Sequence, residues 1–100
     1  MANVSDVQQI TDNQSQARFE FRIGDLVAEL KYHRNGNRFV LLHTEVPAEL
    51  EGRGIGGRLV GAAIDHAARQ GLTVVPLCPF ARAWLERHAD EAAKATIDWS

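Results

Sequence analysis

The residues best suited to bind an anion lie in one short stretch, from Glu51 to Arg58. Four of its eight residues are glycine and two are arginine. Because glycine has no Cβ, backbone N–H groups in such a stretch can approach a ligand closely. Arginine adds donors for charge-assisted hydrogen bonds to oxyanions. We predict a phosphate or pyrophosphate site, formed by Gly52, Gly54, Ile55, Gly56 and Gly57, with Arg53 and Arg58 at its rim.

A helix is predicted to begin directly at this stretch. Apolar residues follow at close to the helical period: Leu59, Val60, Ala63, Ile64 and Ala67. The helix should run from about Gly54 to Gln70 and end at Gly71 in the left-handed conformation. Its N-terminus contributes unpaired N–H groups and a partial positive charge, and both favour a bound phosphate.

The stretch does not fully match either of two well-known phosphate-binding loops, the Walker loop and the dinucleotide-binding loop. A Walker loop needs Lys-Ser or Lys-Thr after its last glycine, whereas Arg58 and Leu59 follow Gly57. Gly52, Gly54 and Gly57 match the dinucleotide spacing, but no acidic residue ends the strand that follows the helix. A glycine-rich helix start that serves only close packing remains an alternative at this point.

Antiparallel strands should precede the helix. Phe19, Phe21 and Ile23 alternate with charged residues, and Gly24-Asp25 supplies a two-residue hairpin turn. The return strand covers 26–32, and a turn at 35–37 leads to a third strand, 39–46, that is apolar on both faces at its centre. Pro47 ends it. Upstream, residues 1–6 are expected to be disordered and 7–10 to form a short strand, with Asp12-Asn13 as its turn.

One parallel strand and a second helix should follow. Residues 72–77 read as a buried strand beside 39–46, joined to it through the helix as a parallel crossover. Pro79 favours a helix start, and Phe80, Trp84 and His88 fall on one face of that helix. Residues 89–100 have no clear pattern, although 91–95 are compatible with a helical turn and Trp99 with docking on the body.

Composition excludes several classes of protein. The chain has 100 residues, enough for one domain, and a net charge of −2 from 11 basic and 13 acidic residues. It therefore lacks the basic footprint of a nucleic-acid-binding protein. A single cysteine excludes an internal disulfide, and no apolar run is long enough for a signal peptide or membrane span. We expect a cytoplasmic protein without a membrane partner, either a monomer or a weak dimer.

Three segments together resemble the GNAT acetyltransferases, and in particular a group of small single-domain members: residues 43–47 (HTEVP), 52–56 (GRGIG) and 75–80 (VPLCPF) with Arg87-His88 behind. The resemblance covers about residues 17–88. The chain departs from the family's pattern at Glu51, where the family usually carries arginine or glutamine. It also departs at Ala89, where the group of small members tends to carry proline. The implied fold is α/β (α+β), a GNAT-like acyl-CoA N-acyltransferase fold: antiparallel meander, β-α-β crossover and short C-terminal helix. One minimal domain would have its core at 17–88 and an extension at 89–100, with 1–15 poorly ordered or a short edge strand.

The resemblance implies acetyl-CoA or coenzyme A as the cofactor. Its pyrophosphate would lie on residues 51–58, and its pantetheine arm between the strands that end at Val46 and Leu77. Backbone groups of Thr44 and Val46 would bind that arm and polarise the thioester carbonyl, with Glu45 and Cys78 also at the cofactor. A donor directed at a developing oxyanion is often the largest catalytic contribution.

Cys78, His43 and Thr44 are the predicted catalytic residues. Cys78 lies where a strand ends and a helix begins, a position that favours the thiolate, so it could accept the acetyl group transiently or line the pocket. A buried inert thiol is the alternative. His43 is a candidate base next to the acetyl site, with His88 and Glu45 as further candidates; strict alternation places its side chain opposite Leu42 and Thr44. His33 and His66 read as surface residues.

The expected function is acetyl transfer from acetyl-CoA to an amine. Nothing in the sequence names the acceptor, so a small amine, a polyamine and a protein lysine all remain open. The alternatives are a non-catalytic coenzyme A-binding module, favoured by the lack of an obvious base, and a protein-interaction module.

Overall fold

The computed structural model describes residues 10–100, which form one mixed sheet with helices packed on one of its faces. The strands are β1 (Ile10–Asn13), β2 (Arg18–Ile23), β3 (Leu26–Asn35), β4 (Arg38–Glu45), β5 (Thr73–Pro76) and β6 (Thr96–Ile97). They lie side by side in chain order. Pairing is antiparallel from β1 to β4 and parallel between β4, β5 and β6. The predicted meander and parallel crossover are confirmed.

Two of the predicted turns have the expected form, and one prediction was wrong. Ile23 pairs with Leu26 across Gly24-Asp25, and Asn35 pairs with Arg38 across the next turn. Asp12 and Asn13, however, belong to β1, and the first turn covers residues 14–17. Of the strand predicted at 7–10, only Ile10 falls within the described residues.

The helices are α1 (Ile55–Gln70), α2 (Pro79–Arg87) and α3 (Ala89–Ala92), and a 3₁₀ turn, Ala48–Leu50, precedes the glycine stretch. Glycines in the left-handed conformation flank α1, Gly54 at φ 75° and Gly71 at φ 68°. Cys78 is the N-cap of α2 and Pro79 its first residue, a position where the missing amide hydrogen costs no hydrogen bond. None of the helices within residues 10–100 is long and apolar enough to span a membrane.

The core lies between the sheet and α1, and an aromatic cluster fills its centre. The Phe39 ring is fully buried, with its centroid 4.7 Å from that of Tyr32 and 6.3 Å from that of Phe19. The Tyr32 hydroxyl donates a hydrogen bond of 2.6 Å to Asp12; burial raises the pKa of Tyr32, and this bond raises it further. His66 was predicted to be a surface residue, but its ring is half-buried, 5.3 Å from that of Phe39.

A β-bulge interrupts the pairing of β3 with β4. Tyr32 pairs with Leu41, and the preceding residue, Lys31, pairs with His43. Leu42 lies between these two pairs without a partner residue of its own and is therefore an additional residue in β4. Leu42 and His43 consequently face the same side of the sheet. The prediction that His43 points opposite to both neighbours was therefore wrong for Leu42 and right for Thr44, which pairs with the fully buried Leu30.

The second face of the sheet is covered by charged side chains instead of helices. Arg18 makes ion pairs with both Glu20 and Glu29, which lie opposite each other on β2 and β3. Burial by itself raises the pKa of Glu20, but the hydrogen bonds donated by Asn13 and Arg18 outweigh it and hold that pKa below its ordinary value. The network compensates the repulsion between two carboxylates paired across neighbouring strands.

The C-terminal residues complete the sheet, which the sequence did not predict. Residues 96–97 form β6 beside β5, and the Asp98 amide donates a hydrogen bond of 2.8 Å to Val74. The guanidinium of Arg82 lies over the Trp99 ring, 5.6 Å from its centroid, and donates a hydrogen bond to the Trp99 carbonyl. Trp99 thus packs against α2, in agreement with the expected docking.

Candidate active site

The separation of β4 from β5 creates the floor of a cleft. Their ladder ends at the pair Leu41–Pro76. The chain then turns away: the Leu77 amide bonds to the Val75 carbonyl at 3.0 Å, and the Cys78 amide bonds to the Leu41 carbonyl at 2.9 Å. β4 continues to Glu45 beside β3 alone. The edge of β4 beyond Leu41 therefore faces an opening instead of a neighbouring strand.

Thr44 and Cys78 meet at this opening. The Thr44 hydroxyl lies 3.2 Å from the Cys78 sulfur, within hydrogen-bonding distance. Only 3% of Cys78 is exposed, whereas Thr44 is half-buried and lines the cleft. The thiol thus lies behind the threonine, at the base of the opening.

The four glycines of the stretch have two different roles. Gly52 and Gly54 have φ of 83° and 75°, and a Cβ on either would meet no atom within 4 Å. They permit a loop conformation that other residues rarely adopt. Gly56 and Gly57 are helical, and a Cβ there would collide with the rings of Phe80 and Trp84 respectively. The close-packing alternative therefore applies to the second pair and not to the first.

The first turn of α1 presents unpaired amides to the cleft. The helix begins at Ile55, and its first backbone bond runs from the Arg58 amide to the Gly54 carbonyl at 3.1 Å. The amides of residues 55–57 have no carbonyl one turn earlier to bind. Since the stretch carries no Cβ at 52 or 54, an anion can approach these amides from the loop side.

The cleft joins the opening to the glycine stretch. It has a volume of about 510 Å³, within the range of small-molecule sites. Its lining comes from the end of β4, the 3₁₀ turn, the glycine stretch and α2: Thr44, Val46, Leu50, Glu51, Gly52, Gly54, Ile55, Gly56, Gly57, Phe80, Trp84, Arg87 and His88. Most of the residues predicted to bind the cofactor therefore lie on one continuous surface.

His43 and Glu45 lie outside this cleft. Both side chains are largely exposed, with 60% and 67% of their area open to solvent. His43 Nε2 and a Glu45 carboxylate oxygen are 3.7 Å apart on the sheet face that carries no helix. The bulge at Leu42 is the cause, because it places Thr44 instead of His43 on the side of the cleft.

The two predicted arginines are also placed differently from the other predicted residues. Arg53 is exposed. The guanidinium of Arg58 lies over the Phe21 ring, 5.2 Å from its centroid. Arg58 lines a neighbouring groove that shares Gly54, Gly57 and Trp84 with the cleft. Neither residue lines the cleft, and the one arginine among its lining residues is Arg87, on α2.

The sequence interpretation missed the wall that α2 contributes. Phe80, Trp84 and His88 lie one turn apart on one helix face and line the cleft together with Arg87. Their common face was visible in the sequence, but apolar residues on one helix face usually indicate core packing. The signal that distinguishes them is the pair Gly56-Gly57, which leaves room on α1 for two large aromatic side chains.

The residues present fit a long ligand that carries phosphates at one end. Loop glycines and helix amides suit the phosphates, and the unpaired edge of β4 suits an amide-containing chain that bonds to backbone groups. No group of histidine, cysteine or carboxylate side chains among residues 10–100 is arranged to hold a metal ion.

Comparison with known proteins identifies the family. The model of the GCN5-related N-acetyltransferase family matches residues 18–95. The solution NMR structure of a GCN5-like N-acetyltransferase candidate from Staphylococcus aureus superposes with a TM-score of 0.69 at 26% identity, covering 91% of this chain and 92% of that one. The fold agrees with this match, and residues 18–95 include the opened strand pair and the glycine stretch. The chain belongs to the GCN5-related N-acetyltransferase family.

Proposed function

We propose that the protein binds acetyl-CoA in this cleft and transfers its acetyl group to an amine. The observation that carries the proposal is that one cleft connects the glycine stretch with the opening at Thr44 and Cys78. Enzymes of this family use acetyl-CoA as a co-substrate. An anion site and an unpaired strand edge, joined by a narrow cleft, match the two chemically different halves of that molecule.

The proposed roles follow from position. Backbone amides of residues 52–57 hold the phosphates, and backbone groups at Thr44 and Val46 bind the pantetheine arm along the unpaired edge of β4. When bound, acetyl-CoA supplies an activated acetyl thioester. Phe80 and Leu50 flank the cleft and exclude water from it. His43 is not part of this proposal, because its side chain lies on the opposite sheet face.

Cys78 is proposed to form the base of the opening, held against Thr44. Because the thiol is almost completely buried, it should resist a small alkylating agent in the native protein and react readily in denaturant. Mass spectrometry after timed exposure measures the reaction. Thr44→Gly is the matched variant: removing the side chain in front of the sulfur should accelerate labelling. Rapid labelling of the wild type would instead indicate an accessible thiol, suited to accept the acetyl group itself.

Titration with acetyl-CoA tests the proposed binding. We expect saturable heat in calorimetry and amide shift changes concentrated at residues 44–46 and 52–58. Shift changes that spare residues 52–58 would contradict the assignment of the phosphate site.

Turnover requires a separate assay with a small amine, a polyamine and a lysine peptide as acceptors. Release of free coenzyme A thiol above the hydrolysis rate supports transfer and identifies the acceptor class. Tight binding with no release for any of the three would instead favour a non-catalytic coenzyme A-binding protein.

A further inference from the structure

The indole of Trp84 lies directly on the first turn of α1. A Cβ added to Gly57 would overlap the indole nitrogen, and one added to Gly61 would be 3.9 Å from the far end of the ring system. Trp84 lines both the cleft and the separate groove that contains Arg58. Its N–H is therefore located beside the helix amides that are proposed to hold the phosphates.

This N–H has no hydrogen-bond partner among residues 10–100. An indole nitrogen can only donate, and in folded proteins it usually finds an acceptor when it is buried. Trp84 is half-buried, and no fully buried side-chain nitrogen or oxygen in the described part of the chain lacks a partner. The donor is thus not sealed in the interior, and it lies against Gly57, which lines both the cleft and the neighbouring groove.

His88 holds the indole in place. The two rings are stacked, with centroids 4.1 Å apart and planes 16° from parallel. His88 Nδ1 lies 2.7 Å from the Trp84 carbonyl oxygen, which can only accept, so the Nδ1–H donates. The imidazole is fixed by one bond to the residue on which it stacks, and this restricts rotation of the indole.

We propose that the Trp84 Nε1–H donates a hydrogen bond to a phosphate oxygen bound at the start of α1, and that His88 is the residue that positions the indole for this bond. The inference rests on the proposed binding of coenzyme A and names a side-chain donor for its pyrophosphate. It adds a side-chain donor to a cleft that neither Arg53 nor Arg58 lines and to which α2 also contributes Arg87. It also gives Gly57 a role, since a Cβ there would displace the donor.

Trp84→Phe tests the donor, because phenylalanine keeps an aromatic ring and removes the N–H. A hydrogen bond to a charged group contributes about 1.5–3 kcal/mol, so coenzyme A affinity should fall roughly tenfold or more. Affinity for pantetheine, which has no phosphate, should not change; calorimetry and chemical-shift titration measure the two. Equal loss for both ligands, or coenzyme A binding within about twofold of wild type, would overturn the inference. A wild type that fails to bind coenzyme A would instead refute the proposed function.

The wild-type protein offers a test that needs no variant. Its two tryptophans, Trp84 and Trp99, give separate indole N–H resonances, and Trp99 does not line the cleft. Saturation with coenzyme A should move the Trp84 resonance and leave that of Trp99 in place. An unmoved Trp84 resonance would rule out the hydrogen bond even if Trp84→Phe proved unstable.

A double-mutant cycle tests the role of His88. His88→Ala should weaken coenzyme A binding in the wild type and have no further effect in the Trp84→Phe background, because its action passes through the indole. Additive losses would show that His88 acts independently of Trp84 and would remove it as the positioning residue.

Discussion

Gly54→Val is expected to weaken acetyl-CoA binding at least about 100-fold, corresponding to about 2.7 kcal/mol. Gly54 lines the cleft and is the N-cap of α1, with φ of 75°. A valine side chain would occupy the open space through which the ligand approaches. It would also drive the backbone away from the left-handed conformation, which β-branched residues rarely adopt, and so misalign the amides that follow. Calorimetric titration measures the loss.

Gly36→Val is the matched control. Gly36 has φ of 63°, and, as at Gly54, a Cβ there meets no atom within 4 Å. It lies in the turn between β3 and β4 and does not line the cleft. Both variants should lose about 1–2 kcal/mol of unfolding free energy through backbone strain, measured by urea denaturation, but only Gly54→Val should lose binding. Equal binding by the two variants would place the phosphates elsewhere.

Thr44→Phe should lower the rate of acetyl transfer at least about 100-fold, or about 2.7 kcal/mol in activation free energy. The side chain of Thr44 lines the cleft beside Cys78, so a phenyl ring there would fill the opening. The glycine stretch would be untouched, and coenzyme A should bind more weakly but still through its phosphates. A steady-state assay together with a binding titration separates the two effects.

His43→Phe makes a similar change one residue earlier in the chain. His43 lies on the opposite face of the sheet and is largely exposed, so transfer should remain within about twofold of wild type, as for most exposed positions. If His43→Phe abolished transfer while Thr44→Phe preserved it, the proposed site would be wrong and His43 would again be a candidate base.

The order of the elements could be predicted because each boundary has a local signal. Gly24-Asp25 and Gly36 mark tight turns, Pro47 and Gly71 end their elements, and the apolar period of residues 59–67 identifies α1. Local signals also located the glycine stretch before α1, to which the proposed function assigns the phosphates.

Features that depend on contacts between distant residues could not be predicted in this way. β6 has only two residues, and the Asp98 amide beyond it adds one further backbone bond to β5. A strand this short has no alternating run of residues from which it could be predicted.

The alternation that predicts a strand also assumes a regular ladder, and the bulge at Leu42 has no signature in residue type. The sequence consequently suggested His43 as a base and Thr44 as a donor at the same site, and the register places their side chains on opposite faces of the sheet. Trp84 was assigned to a helix face, but its contact with Gly57 depends on the packing of two helices.

The bulge also determines where β4 can change its length. Leu41 and Thr44 face the core side, and both Leu42 and His43 lie opposite Lys31 on the other side. A chain without Leu42 would pair His43 with Lys31 in a regular ladder and still direct Thr44 toward the cleft. Loss of a residue between Arg38 and Leu41 would instead reverse every side chain on one side of the deletion. Position 42 is therefore a point in β4 at which one residue can be gained or lost while Thr44 keeps its orientation toward Cys78.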